Sequence, residues 1–436
     1  MPPSTSNSGE NRAMLRPEKQ NSNRRRKCKP FTSGFIFGFI LSTILALIAY
    51  GLSLGILKVI QDESEIKNSS QTCGKRIIGY HDLHSTREVT RNQISKFTHL
   101  MLFPLMVQEN GTFGFRNDVE ATNFRRKLRK FKQFNVKTMF SLWGGRNGDA
   151  DVIRNAIEDP EGRLILLSTI TNFIKQNNMD GVDIYWTWSE TEHESVFFIN
   201  FCEQLKEQLA ELAKAMERRN DAFIVSLTLA EHTETYPAEF DDIWKFVDFM
   251  SIDTNNYHAP WLSTNGNLVG ASSTLYGGHG KVKNQNLDHT MNYCTCQTRK
   301  PNRFNIMVEF IGRYWRNVND TRTFWPIAEP QNGKIDGGWT AWIHMQSSEW
   351  IVSDISWNDE SKTAYIWNPK KQSYITFENQ KSIAEKIKYV MDHGIGGLSI
   401  WRFEYDDEDN TLLNTFSLDH LCSRSNTVIK YNCSEI

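Results

Sequence analysis

The sequence predicts an α/β protein: a (β/α)8 TIM barrel with a small β-rich insertion after its seventh strand, preceded by one transmembrane helix. Three observations lead there. Eight short runs of apolar, β-branched or aromatic residues punctuate the chain, stretches with helical spacing lie between most of them, and one uncharged segment, residues 31–57, precedes them all.

The runs are RIIGY (76–80), HLMLFPLMV (99–107), VKTMFSL (136–142), GVDIYW (181–186), FIVSLTL (223–229), VDFMSID (247–253), FNIMVEF (304–310) and GGLSIWRF (396–403). Nearly continuous apolar strands are buried on both faces, as a parallel sheet covered by helices requires. Eight of them suit a closed barrel better than an open sheet. The clearest helical pattern runs from Glu194 to Arg219, where Phe198, Phe201, Cys202, Leu205, Leu209 and Leu212 recur on one face. Residues 123–134, 163–176 and 382–393 show the same spacing. About residues 312–375 are too long for an ordinary loop and carry several tryptophans and the alternating run TAYIWN, so they are expected to form the inserted subdomain beside the barrel mouth.

Before the barrel the chain changes character. Residues 1–30 carry eight Lys or Arg against two Glu and lack apolar periodicity, which predicts a disordered basic tail. The net charge of -1 therefore hides a globular part near -7, and nucleic acid is not an expected partner. From Phe35 the uncharged segment would span roughly 34 Å as a helix, and it follows the basic run RRRKCK, which predicts a signal anchor with a cytoplasmic N-terminus. The expectation is a single-pass type II membrane protein, with secretion after signal cleavage as the alternative. Residues 58–72 read as a stalk, 73–422 as the barrel with its insertion, and 423–436 as a C-terminal tail.

Two counts favour a luminal or extracellular barrel. The glycosylation sequons at Asn68, Asn110, Asn319 and Asn432 all follow the hydrophobic segment. So do Cys73, Cys202, Cys294, Cys296, Cys422 and Cys433, an even set that permits three disulfides of undetermined pairing. Cys294 and Cys296 have no histidine cluster at zinc-like spacing, and neither a phosphate-cradling loop nor a serine nucleophile elbow is present, so no metal or cofactor is expected.

Chemistry is hinted at in NMDGVDIYWTW (178–188). In an extended strand Asp183, Tyr185 and Thr187 share one face, and Val182, Ile184 and Trp186 the other. With the apolar set packed on helices, the polar set points into the barrel and ends near the rim where barrel enzymes keep their chemistry.

This stretch is similar to the D-G-x-D-x-D-x-E signature of the family 18 glycoside hydrolases, the chitinases and chitinase-like proteins. Asp180, Gly181 and Asp183 match it, while Tyr185 and Thr187 stand at the third acid and the terminal Glu. IIGY, FSLWGG, VDFMSID, EFIGRYW and GGLSIWRFEYDD follow the family's order, so the resemblance covers about residues 73–422. It implies substrate-assisted hydrolysis, in which a Glu protonates the leaving oxygen and the preceding Asp orients the substrate's acetamido group. Thr187 has no proton to give, and Tyr185, with a phenol pKa of about 10, is a poor substitute. DTNN after the sixth strand sets Asp253, Asn255 and Asn256 where the family has Met, Tyr and Asp, and Ile311 replaces a tyrosine. Glu190, Glu192 and Glu194 read as solvated charges, and Glu309 and Asp253 as structural partners facing the cavity.

The expected function is therefore that of a membrane-anchored pseudoenzyme. It binds chitin or N-acetylglucosamine-containing glycans through Trp401, Asp183, Tyr185, Asn255 and Asn256, or acts as an extracellular matrix interaction protein. A family 18 glycosidase with a relocated acid is the alternative. Trp401 matches the tryptophan that floors the family's sugar site, and Trp143, Trp186, Trp261, Trp315 and Trp339 are candidate rim contacts more simply read as packing, Trp186 by its outward parity on the strand.

Overall fold

The computed structural model describes Tyr50, Gly51, Ser53 and residues 73–434, apart from 145–148, 187–191, 219–221, 231–237, 263–265, 279–281, 320–327, 331–332, 346–349, 351–353 and 424–427. The chain divides into two units, residues 1–68 and 69–436. The segment expected to cross a membrane, 31–57, lies outside the described residues save for those first three. Among the described residues no helix is long and apolar enough to span a bilayer.

The second unit carries strands β1 (Arg76–Asp82), β2 (His99–Val107), β3 (Phe113–Gly114), β4 (Lys137–Gly144), β5 (Gly181–Trp186), β6 (Ile224–Leu229), β7 (Phe249–Ile252), β8 (Phe304–Glu309), β9 (Ile311–Trp315), β10 (Gly337–Ala341), β11 (Ser356–Asn358), β12 (Thr363–Asn368), β13 (Ser373–Phe377) and β14 (Gly397–Trp401). Strands β1, β14, β8, β7, β6, β5, β4 and β2 pair in that order, all parallel, and β2 returns to β1, which closes an eight-stranded barrel; β3 adds an antiparallel edge to β2. Each of the eight predicted runs falls on one barrel strand. The long connection after β8 forms a separate antiparallel sheet in the order β10-β9-β13-β12-β11.

The helices obey local rules. Asn117 accepts from the Glu120 amide to start the helix Asp118–Phe131, whose first turn is acidic and last turn basic, so both ends complement the helix dipole. Its buried Phe124, Leu128 and Phe131 face the sheet. Helix Pro160–Asn177 begins with Asp159 as cap and Pro160 in its first turn, and ends where Asn178 turns left-handed (φ 48°) and feeds β5.

Inside the barrel, Ile78, Tyr80, Met101, Phe103, Met139, Phe249 and Met307 fill the interior, with Trp143 and Trp401 packed against them. Alternation on β5 is as expected: Val182 and Ile184 join the outer core while Asp183 and Tyr185 point inward.

The cysteines require a correction. Cys73 is bonded to Cys422 and Cys296 to Cys433, whereas Cys202 and Cys294 are buried and belong to neither disulfide. Both sit on core-facing helix sides, where a thiol behaves as a small apolar group, and burial pushes the Cys202 thiol up, away from its reactive form.

Candidate functional site

The ladder on β5 divides by depth. Asp180 is a fastener at the start of the strand: its carboxylate accepts from the Thr138 amide at 2.8 Å and pairs with Arg218 at 3.0 Å. Gly181 follows because a Cβ there would lie 2.1 Å from the Ile224 carbonyl oxygen. Asp183 is fully buried, in register with Ser141 on β4 and Ser226 on β6, whose hydroxyls donate to it at 2.8 and 2.7 Å. Tyr80 donates from β1 at 3.1 Å, and Thr228 lies at 3.3 Å. Burial raises the Asp183 carboxyl to about 6 against the pull of these four donors. It lies beneath the cavity and does not line it.

Tyr185 is the first member to reach open space, in a cavity of about 670 Å³ over the C-terminal ends of the barrel strands. Its phenol donates to Asp253 at 2.8 Å. Its ring stacks on Trp143 at 4.6 Å and lies 5.3 Å from Trp401, and Phe103 approaches Trp401 at 4.4 Å. Tryptophan and phenylalanine faces thus floor the cavity, while Trp261 and Trp339, 45% and 49% exposed, stand at its mouth. Trp315 is buried in the insertion core and donates to the Gly266 carbonyl, so its role is packing.

The wall beside Trp401 is polar. Asp253 also accepts from Asn256 at 2.8 Å and from the Asn255 amide at 3.3 Å. Glu309, register partner of Trp401, pairs with Arg313 at 2.6 Å, and both side chains are buried. Burial raises Glu309 to about 7 and also raises Asp253, while Arg313 opposes both shifts. Across the cavity Arg402 is ion-paired to Asp82, whose other oxygen contacts His84 at 2.8 Å.

Of the expected sugar-binding set, Trp401, Tyr185, Asn255 and Asn256 therefore come together and Asp183 stays below. Thr187 and Glu190 lie outside the described residues, as do the side chains of Trp186, Glu192 and Glu194. Asp82, Phe103, Arg313 and Arg402 were not singled out from sequence, although each sits at or near the C-terminal end of a barrel strand, the position that could have flagged them. Among the described residues no group of His, Cys, Asp and Glu side chains could hold a metal ion.

A parallel eight-stranded barrel with an aromatic-floored cavity at its C-terminal mouth places that cavity where barrel proteins keep their binding and catalytic sites. The family model for glycosyl hydrolases family 18 matches residues 76–406, and the chain belongs to that family. Among curated proteins it is 21% identical over 279 residues to a probable endochitinase of Orgyia pseudotsugata multicapsid polyhedrosis virus, covering 60% of this chain and 49% of that one. It is 21% identical over 305 residues to a probable endochitinase of Caenorhabditis elegans, covering 67% and 48%. The chain thus spans about half the length of these relatives. Among solved structures, a family 18 N-acetylglucosaminidase from Paenibacillus barengoltzii superposes with TM-score 0.66 at 17% identity, over 79% of this chain and 99% of that one. A chitinase-like agglutinin from Robinia pseudoacacia does so with TM-score 0.65 at 18%, over 79% and 99%.

Proposed function

We propose that this family 18 protein is a non-hydrolytic, chitinase-like glycan-binding protein, carried on a membrane through residues 31–57 with its barrel on the luminal or extracellular side. The carrying observation is Tyr185. At the third acid position it places a phenol that is already donating to Asp253 at 2.8 Å, with its ring against both Trp143 and Trp401. The carboxyl of β5, Asp183, does not line the cavity where an acetamido group would sit, and a neutral Thr stands at the acid's position. Stacking on Trp401 needs neither. The exposed sequon residues Asn110, Asn319 and Asn432 and the two disulfides support a location in an oxidising compartment.

The test is retention of the purified full-length protein on chitin beads beside a fluorogenic chitooligosaccharide assay. Wild type should be retained and release no fluorophore, and Trp401→Ala should lose retention. Equal retention of both would place binding outside the cleft. The double change Tyr185→Asp with Thr187→Glu asks whether the missing acids alone explain inactivity; with Asn255 and Asn256 unchanged it is expected to stay inactive.

A second reading, residual hydrolysis by a relocated acid, is favoured by one observation: Glu309 lines the cavity and is raised by burial to about 7, the range of a general acid. Its pairing with Arg313 opposes that role. Turnover abolished by Glu309→Gln would establish it.

A further inference from the structure

Two carboxyl groups share one guanidinium on the wall beside Trp401. Asp253 and Glu309 extend from the ends of neighbouring strands, both line the cavity, and both are buried. Arg313 pairs with Glu309 through one nitrogen at 2.6 Å, while its Nε and Nη1 are buried without a hydrogen-bond partner, and Arg402 pairs with Asp82 on the opposite side. The hydrogen bonds that Asp253 receives from Tyr185, Asn256 and the Asn255 backbone all come from neutral donors. Next to it the Asn255 side chain, 1% exposed and lining the cavity, has neither its amide nitrogen nor its oxygen hydrogen-bonded. Buried polar atoms without partners are uncommon, and here they adjoin a space large enough for a sugar ring.

A pyranose stacked on Trp401 would turn its equatorial substituents sideways. One side is this wall, because Trp401 and Glu309 are register partners and Tyr185, which holds Asp253, lies 5.3 Å from the Trp401 ring. With two carboxyls against one guanidinium, the charge count of the wall leaves room for one compact cation that donates hydrogen bonds. An N-acetyl carbonyl would accept from the open Arg313 or Asn255 donors but brings no charge, and a sugar carboxylate would face two acids. A primary ammonium brings both the charge and the donors.

We infer that the cleft selects sugars carrying a free amine, the glucosamine units of a deacetylated chitin-type chain, over N-acetylated ones, with Asp253 as the ammonium's partner and the Asn255 amide holding an adjacent hydroxyl. This rests on the cleft being a glycan site, as proposed above. Burial holds both wall carboxyls above their ordinary range, and a bound ammonium would favour their charged forms.

Calorimetric titration of the full-length protein near pH 6, where an amino sugar is a cation, compares the glucosamine tetramer with the N-acetylglucosamine tetramer. The expected result is binding about tenfold tighter for the amine, reduced to within about threefold by Asp253→Asn, with Trp401→Ala weakening both ligands. Equal or tighter binding of the acetylated tetramer by wild type overturns the inference and leaves the glycan-binding reading intact. That comparison needs no variant to fold. An amine preference unchanged in a folded Asp253→Asn protein also overturns it, placing the cation elsewhere. Failure of both tetramers to bind overturns the parent reading as well.

Discussion

Asp183 and Tyr185 stand two positions apart on one strand face, yet they do different work. Asp183 is the acceptor at the centre of Tyr80, Ser141, Ser226 and Thr228, four hydroxyls from three strands. Asp183→Ala would strand those donors in the barrel interior, and chemical denaturation should show a loss of about 3 kcal/mol. Because the folded chain keeps this proton to about pH 6 while the unfolded chain releases it near 3.8, the folded state binds more protons in that window. Its share of stability therefore falls as pH rises from 3.8 to about 6, and Asp183→Asn should flatten that part of the pH–stability curve. Glycan affinity should change little, since Asp183 does not line the cavity.

At the scale of an element, β5 fits between its neighbours only because Gly181 lets the Ile224 carbonyl approach. Gly181→Ala is expected to cost about 2 kcal/mol or more, read as a lowered denaturation midpoint, since backbone atoms and not a flexible side chain must move. The corner between β8 and β9 behaves differently. There Glu309 and Arg313 are a buried pair four residues apart, and Arg313→Ala would leave a carboxyl unpaired. A loss of roughly 3–5 kcal/mol is expected, and Glu309→Gln added to that variant should restore part of it. That partial rescue would separate charge burial from lost packing. The strands themselves were legible in the sequence because barrel strands are apolar on both faces, and their runs stand out. The pairing of Tyr185 with Asp253 was not, since it joins strands whose distance depends on barrel closure.

Across the whole molecule, the Cys73–Cys422 disulfide ties the chain just before β1 to the last helix after β14, 349 residues apart. It fastens the ends of the barrel unit where the first and last barrel strands meet. Cys73→Ser with Cys422→Ser should lower stability by roughly 2–5 kcal/mol, measured by denaturant titration, because the unfolded chain regains the freedom of a long loop.

The sequence by itself determined the class of fold, the order of the strands along the chain and the family resemblance, within which Tyr185 and Thr187 stand at the signature's acidic positions, because strands, helices and the signature are each written in contiguous residues. Tertiary structure decided which cysteines pair, that Asp183 lies under the cavity, and that Asp253, Glu309 and Arg313 make one wall beside Trp401. Those contacts join side chains tens to hundreds of positions apart, and only the closed barrel sets the distances between them.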